Sequence, residues 1–317
     1  MDPDGSVQAN APLADPPSVG GGDISQVRRF NRIVTQRVGA LNDRFLSRDR
    51  SLGESRVLWE IGADEHDVRA LRTQLGLDSG YLSRLLRSLE AAGLVTVGPK
   101  ESDKRVRVAR LTASGSAERA ELDKRSDELA ASFLAPLGAK QRGRLVTAMA
   151  DVERLLTASM VEVEQIDPAH AHAQHCLAAY FAELDGRFES GFDPGRSIPA
   201  AADELRPPAG LFLVALLRGE PIGCGALKFH DKAPADIKRM WVADSARRLG
   251  VGRRILGDLE KRAADQGVKV VRLETNGSLV EAISLYRSAG YIEVPAFNDE
   301  PYAHHWFEKQ LVHNQVR

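Results

Sequence analysis

The hydrophobic period of this 317-residue chain changes once, near residue 160, and that change bounds the fold more tightly than any other feature. Ahead of it, large apolar residues recur at helical spacing, as in Ile24, Val27, Phe30, Val34, Val38 and Leu41. Beyond it, short apolar runs of strand length alternate with helical ones. One core cannot serve both patterns, and the length fits two domains at about 150 residues each. The fold class expected is therefore two domains, the first mainly α and the second α/β.

The organisation follows from the same reading. Residues 1–22 hold Pro3, Pro12, Pro16, Pro17 and a Gly20–Gly22 run with few large apolar groups, and are expected to be a flexible tail. Residues 23–159 form the first domain. Helices are expected over 24–42, 54–61, 64–75 and 78–93, the last ending at Gly93 as a C′ glycine. A hairpin follows, 94–97 and 106–111, across the charged turn Pro99–Arg105, and then helices over 114–135 and 140–158. Residues 160–317 form the second domain. Strands are expected at 161–166, 211–217, 222–229, 237–242, 269–275, 291–294 and 304–309. Helices are expected at 169–187, 252–266 and 279–289, and a loop rich in Gly, Pro and Asp at 188–209.

A net charge of −1 gives no global basic field, so any nucleic-acid surface must come from local clustering. Cys176 and Cys224, the only cysteines, exclude a disulfide scaffold and a cysteine-rich zinc site. The N-terminus lacks a basic region followed by an apolar one, and no apolar run approaches the roughly 20 residues of a membrane span. A cytoplasmic protein without a membrane partner is expected.

In the first domain the informative unit is Val68–Arg87: a helix, a turn at Gly76, and a second helix capped near Asp78. At 100° per residue, Leu82, Leu85, Leu86 and Leu89 share one face of the second helix. Ser83, Arg84 and Arg87 share the opposite face, with Ser79, Gly80 and Tyr81 at its start. An apolar back and an Arg/Ser front suit a major groove, because arginine pairs bidentately with guanine. Taken alone, the same pattern also describes a solvated basic helix. The neighbouring hairpin adds Lys100, Lys104, Arg105 and Arg107 at its tip, suited to phosphates or the minor groove.

Residues 24–158 resemble the MarR family of winged helix-turn-helix regulators. The resemblance lies in the helix-turn-helix, in Leu89–Val95, and in the wing tip Ser102-Asp103-Lys104-Arg105 followed by Leu111-Thr112. It implies double-stranded DNA as a partner, read by Ser79, Tyr81, Ser83, Arg84 and Arg87 and gripped by Lys104, Arg105 and Arg107. It also implies that Asp103 and Arg105 pair to shape the wing, and that a homodimer forms through the helices of 24–42 and 114–158.

In the second domain, Met240–Arg253 runs from a strand through a turn into a helix. Gly250 and Gly252 let backbone N–H groups approach a diphosphate, and Arg247, Arg248 and Arg253 add charge at the helix N-terminus. No Gly-Lys-Ser/Thr is present, so this is not a Walker loop, and the third glycine of a Rossmann fingerprint is missing. Downstream stand Leu273-Glu274-Thr275-Asn276 and Ala282–Tyr291.

Together these segments resemble the GNAT acetyltransferase superfamily over about 161–310, through Arg247, Gly250 and Gly252 and through the Asn…Ala…Leu-Tyr…Gly-Tyr segment. The resemblance implies a mixed-sheet fold, acetyl-CoA as co-substrate, and no metal. It implies that Met240, Trp241 and Val242 hold pantetheine and the acetyl carbonyl, that residues 247–253, including Leu249 and Val251, hold the pyrophosphate, and that Asn276 contacts the pantetheine arm. Tyr286 then stands near the thioester sulfur as the proton donor to the leaving thiolate. Direct transfer also needs a base for the ammonium; the carboxylate nearest the expected position is Asp236, which could act directly, act through water or orient substrate.

His170, His172 and His175 read as solvated helix histidines rather than metal ligands, and Cys224 as packing rather than a nucleophile. Lys238, Arg239, Arg187, Phe188 and the Gly191–Pro194 loop are expected to line the acceptor pocket, whose basic character favours a small amine bearing a carboxylate. Three readings stay open: a regulator that is also an N-acetyltransferase, a transcription factor whose second domain senses acetyl-CoA or another small ligand, and a DNA-targeted protein-lysine acetyltransferase.

Overall fold

A computed structural model describes residues 20–40, 46, 49–231 and 234–311. The expected tail lies outside the described residues up to residue 19, as does the end of the expected 24–42 helix. The chain divides into two compact units, Met1–Gly138 and Ala139–Arg317.

The first unit contains α1 (Gly21–Arg37), α2 (Leu52–Ile61), β1 (His66–Asp67), α3 (Val68–Leu75), α4 (Ser79–Ala91), β2 (Val95–Pro99), β3 (Arg107–Leu111) and α5 (Ala113–Leu134). Its core is Val57, Leu58 and Ile61 of α2, Leu71 of α3, the leucine face of α4, and Val95, Ala109 and Leu122 from the hairpin and α5. Ser51 and Glu54 form a reciprocal capping box that starts α2. The helix expected over 64–75 begins only at Val68. Asp67 is its extended N-cap, accepting from the N–H groups of Arg69 and Ala70, and His66–Asp67 pairs with Ala109 and Val108. A two-residue strand has no period to read, so the third strand of the order β1-β3-β2 was invisible in the sequence. Gly115 marks a close approach of α5 to the hairpin: a Cβ there would lie 1.9 Å from the Leu94 carbonyl oxygen.

The second unit contains α6 (Ala139–Ser159), β4 (Val161–Gln165), α7 (Ala171–Arg187), β5 (Gly210–Leu217), β6 (Glu220–Lys228), β7 (Ala235–Val242), α8 (Val251–Asp265), β8 (Val270–Thr275), α9 (Val280–Ser288), β9 (Ile292–Val294) and β10 (His305–Gln310). Its seven strands lie in the order β4-β5-β6-β7-β8-β10-β9, antiparallel except for β7 beside β8. Helices cover both faces, which explains the unbroken apolar run of β5. Leu211, Leu213 and Ala215 join the core around Ile255, Leu256 and Leu259 of α8. Phe212, Val214 and Leu216 join the other, around Ala173 and Cys176 of α7.

Neither α1 nor α6 buries a residue within the chain. On α1, Val27 and Ile33 are 56% and 63% exposed; on α6, Leu155 and Leu156 are 58% and 59% exposed. Amphipathic helices with unburied apolar faces are the usual mark of an association surface.

Candidate functional site

The site in the second unit begins with a defect in strand pairing. β7 and β8 pair only at Ala235 with Val271 and Asp236 with Arg272; beyond that the two strands separate. On its other side β7 carries a bulge against β6, between the pairs Ala226–Lys238 and Cys224–Trp241. At the bulge Arg239 takes φ +58°, a left-handed backbone unusual for a non-glycine residue inside a strand. A sheet that parts in the middle leaves a wedge, and two hollows fill it. They share Tyr180, Leu184, Met240, Leu279, Ala282 and Tyr286.

The outer hollow is a groove of about 840 Å³ over the start of α8. Gly250 caps that helix in the left-handed region at φ +77°, and no side chain satisfies the N–H groups of the first turn. Those donors and the helix dipole make an anion site. Arg248, itself at φ +71°, and Arg253 flank it. Arg253 donates to Ser288, while Arg247 is held by Glu183 and Asp244, each at 2.7 Å. Glu183 also accepts from the Trp241 indole and from Arg187, tying α7 to β7.

The inner hollow is small, about 80 Å³. Its floor is the buried ion pair of Lys238 and Glu274, and its wall is the aromatic group Phe188, Phe192 and Tyr302. Glu300, also buried, accepts from the Ser197 hydroxyl and the Ile198 N–H and so fixes the loop over the cavity. Tyr286 is 5% exposed, its ring packed near Tyr291 and Phe307. Burial, with Tyr180 and the Glu274 carboxylate nearby, pushes its phenol well above the usual tyrosine value. It therefore stays protonated throughout the physiological range.

In the first unit α4 turns Leu82, Leu85, Leu86 and Leu89 inward and leaves Ser79, Ser83, Arg84 and Arg87 exposed, with Tyr81 half-buried. The Asp78 side chain accepts from the Tyr81 N–H and starts the helix. Arg84 lies 5.6 Å from the Tyr81 ring centroid. At the wing tip Asp103 accepts from the Arg105 guanidinium twice, at 3.1 Å each, and from its N–H at 3.0 Å. This pairing holds the Asp103 carboxyl below its usual value. Lys104 and Arg107 are exposed beside it.

A family model for GNAT acetyltransferases matches residues 161–291, and one for the MarR family matches residues 49–106. An uncharacterized N-acetyltransferase of Bacillus subtilis, YsnE, is 35% identical over 109 residues, spanning 33% of this chain and 72% of that protein. The chain belongs to the GNAT acetyltransferase family. It is also similar to an IAA acetyltransferase of Azospirillum brasilense, 36% identical over 90 residues that are 28% of this chain and 59% of that protein, so under two thirds of that relative is covered. A MarR-family transcriptional regulator from Rhodococcus is 20% identical, with 44% of this chain covering 97% of that one at a TM-score of 0.36.

The GNAT unit brings most of the expected cofactor residues to one groove: Met240, Trp241, Val242, Arg247, Arg248, Gly250, Val251, Gly252 and Arg253 all line it, with Tyr286 at its inner end. Leu249 instead packs against the core. Asn276 lines the inner hollow, not the groove; its amide donates to the Tyr302 carbonyl and accepts from the Ser278 N–H. The expected base Asp236 lines neither hollow. It is buried, accepts from Arg272 at 2.7 Å, and lies 2.9 Å from His230 Nε2. Those partners set it in an ion cluster on the part of β7 still paired with β8.

Glu274, which no local sequence signal marks, lines the inner hollow. Only the parting of the strands turns its carboxylate into a cavity. The first unit presents the expected Arg84, Arg87, Lys104, Arg105 and Arg107 as exposed side chains. Among the described residues no group of His, Cys, Asp and Glu is arranged to hold a metal ion, and no helix is long and apolar enough to cross a membrane.

Proposed function

We propose that this chain is a DNA-binding regulator whose GNAT unit transfers an acetyl group from acetyl-CoA to the amine of a small acceptor. The observation that carries the reading is the pair of hollows meeting at Tyr286. One is a groove ending on the unsatisfied N–H groups of α8, and the other is a small, partly open hollow beyond Tyr286. GNAT domains take acetyl-CoA as donor, and the groove suits it: the first turn of α8, Arg248 and Arg253 would hold the pyrophosphate, and Met240–Val242 would flank the pantetheine arm. When bound, acetyl-CoA supplies an activated acyl thioester.

The chain's own groups supply the proton handling. Glu274, on the cavity floor, is the carboxylate placed to draw in an ammonium and take its proton. Tyr286, kept neutral by burial, donates a hydrogen bond to the developing thiolate. Lys238 holds Glu274 in place, and Asn276 anchors the turn that closes the cavity.

The MarR-type unit supports DNA binding through the exposed Ser79–Arg87 face and the wing bearing Lys104, Arg105 and Arg107. The exposed apolar faces of α1 and α6 support a homodimer, which would set two recognition helices about one DNA turn apart. The functional division is taken at residue 159, the end of α6. The deciding experiment measures CoA release from acetyl-CoA across a panel of amines, beside operator selection from random DNA. Turnover of a small amine together with selection of a near-palindromic site is the expected result. Tight acetyl-CoA binding without turnover of any amine would make the GNAT unit a sensor, and acetylation confined to protein lysines would make the protein a DNA-targeted lysine acetyltransferase.

A further inference from the structure

We infer that Arg239 is the carboxylate-binding residue of the acceptor cavity, and that the acceptor is a small α-amino acid with an apolar or aromatic side chain. This rests on the acetyl-transfer reading above and deepens it. The first support is charge bookkeeping around the wedge. Lys238 is neutralised by Glu274, Arg247 by Glu183 and Asp244, Arg187 by Glu183 and Glu281, and Arg272 by Asp236. Arg239 lines the cavity with no carboxylate within ion-pair distance among the described residues. Its guanidinium rests 5.1 Å from the Phe181 ring centroid and 5.9 Å from that of Tyr180. A guanidinium set against aromatic rings is fixed in direction, and with the Tyr180 hydroxyl engaging part of its fork the remaining in-plane donors can meet a carboxylate.

The backbone gives a second, independent support. Arg239 sits at φ +58° within a strand, where glycine or asparagine would cost less. Strain of that kind, of order 1–3 kcal/mol, clusters where a side chain must be aimed at a ligand. The bulge turns residue 239 toward the cavity and sets Met240, the next residue, at the junction of cavity and groove. An anion held by Arg239 and an amine presented at that junction are then close together. An α-amino acid, with both groups on one carbon, satisfies this spacing. Glu274, paired with Lys238 on the floor, still offers carboxylate oxygens as hydrogen-bond acceptors to the ammonium.

The cavity's other surfaces define the side chain. Phe188, Phe192 and Tyr302 form a wall of mutually packed rings, 4.9 to 5.8 Å between centroids. The Tyr302 hydroxyl accepts from the Asp193 N–H, and Glu300 pins Ser197 and Ile198, so the wall is preformed. At about 80 Å³ the cavity is well below the roughly 300–1,000 Å³ of pockets for drug-sized ligands.

The test pairs each amino acid with the amine that lacks only its carboxylate: L-phenylalanine with 2-phenylethylamine, and L-leucine with 3-methylbutylamine. CoA release gives kcat/KM, and calorimetry in the presence of CoA gives amino-acid binding. Wild-type protein is expected to favour the amino acids by about 100-fold, the scale for a site left with an unpaired buried charge. Arg239→Gln should erase that preference by lowering only the amino-acid rates, with acetyl-CoA binding unchanged as the check on folding, and Arg239→Lys should restore part of it. Equal rates for acid and amine in the wild type, or an equal loss for both in Arg239→Gln, would overturn the assignment while leaving acetyl transfer standing. Arg239-dependent binding of L-phenylalanine without turnover of any amine would uphold the carboxylate site and sink the acetyl-transfer reading instead.

Discussion

Tyr286→Phe isolates one atom. The ring stays, with its neighbours Tyr291 and Phe307 at 5.9 and 6.0 Å, so the packing of α9 on the sheet is preserved. Tyr286 lines both hollows, and among the described residues its hydroxyl makes no hydrogen bond to a protein group, so its removal strands no partner. Burial raises the phenol well above its usual value of about 10, whereas an ordinary thiol titrates near 8.5. Full proton transfer from Tyr286 to a leaving thiolate is therefore uphill, and the hydroxyl works as a hydrogen-bond donor to the developing charge. A hydrogen bond to a charged group is worth about 1.5–3 kcal/mol, which at 1.36 kcal/mol per decade corresponds to about 10- to 150-fold. Steady-state CoA release should show that loss in kcat, with the KM for acetyl-CoA and the thermal midpoint little changed. A wild-type kcat in the variant would remove Tyr286 from the chemistry. A loss confined to the KM for acetyl-CoA would make it a binding residue only.

Three further expectations follow from the same contacts. Asp236→Asn takes the charge partner from Arg272 and His230, so it should destabilise the GNAT unit by about 1–3 kcal/mol in denaturant unfolding yet leave the shape of the pH–rate profile unchanged, whereas Glu274→Gln should alter that profile. On the DNA side, Arg84→Ala should cost about 1–3 kcal/mol on the selected site and relax its sequence preference; Lys104→Ala should weaken all sequences alike and lower the salt slope by about one per subunit. Equal losses on selected and random DNA for both variants would reject that division of labour. At alkaline pH the phenols of Tyr286 and Tyr291 stay protonated in the folded chain but ionise when it unfolds. Tyr291 is held up by burial and the Glu260 carboxylate. Stability is thus complete below about pH 10 and falls as pH rises above it, and Tyr291→Phe should flatten thermal midpoints measured from pH 9 to 11.

Periodicity and capping chemistry made the helices and most strands legible, because those signals are local. Asp78, Gly76 and the leucine face of Leu82–Leu89 define α4 without help from the rest of the chain, and the Asp103–Arg105 pair lies within one turn. The glycine turn that starts α8 was legible for the same reason, because a helix start with free N–H groups is built from consecutive residues. The pairing of β7 with β8 was not local, and it decided the chemistry of the inner cavity. Asp236 lies where the two strands still touch, so Arg272 reaches and neutralises it. Glu274 lies beyond the parting, so its carboxylate faces a cavity. Both carboxylates pair with a cation, Asp236 with Arg272 and Glu274 with Lys238, but strand separation, set by residues far apart along the chain, opens a cavity beside Glu274 alone. Arg239 follows the same logic: its sequence neighbours name a strand, and only the bulge against β6 sets the φ of +58° that aims it into the cavity.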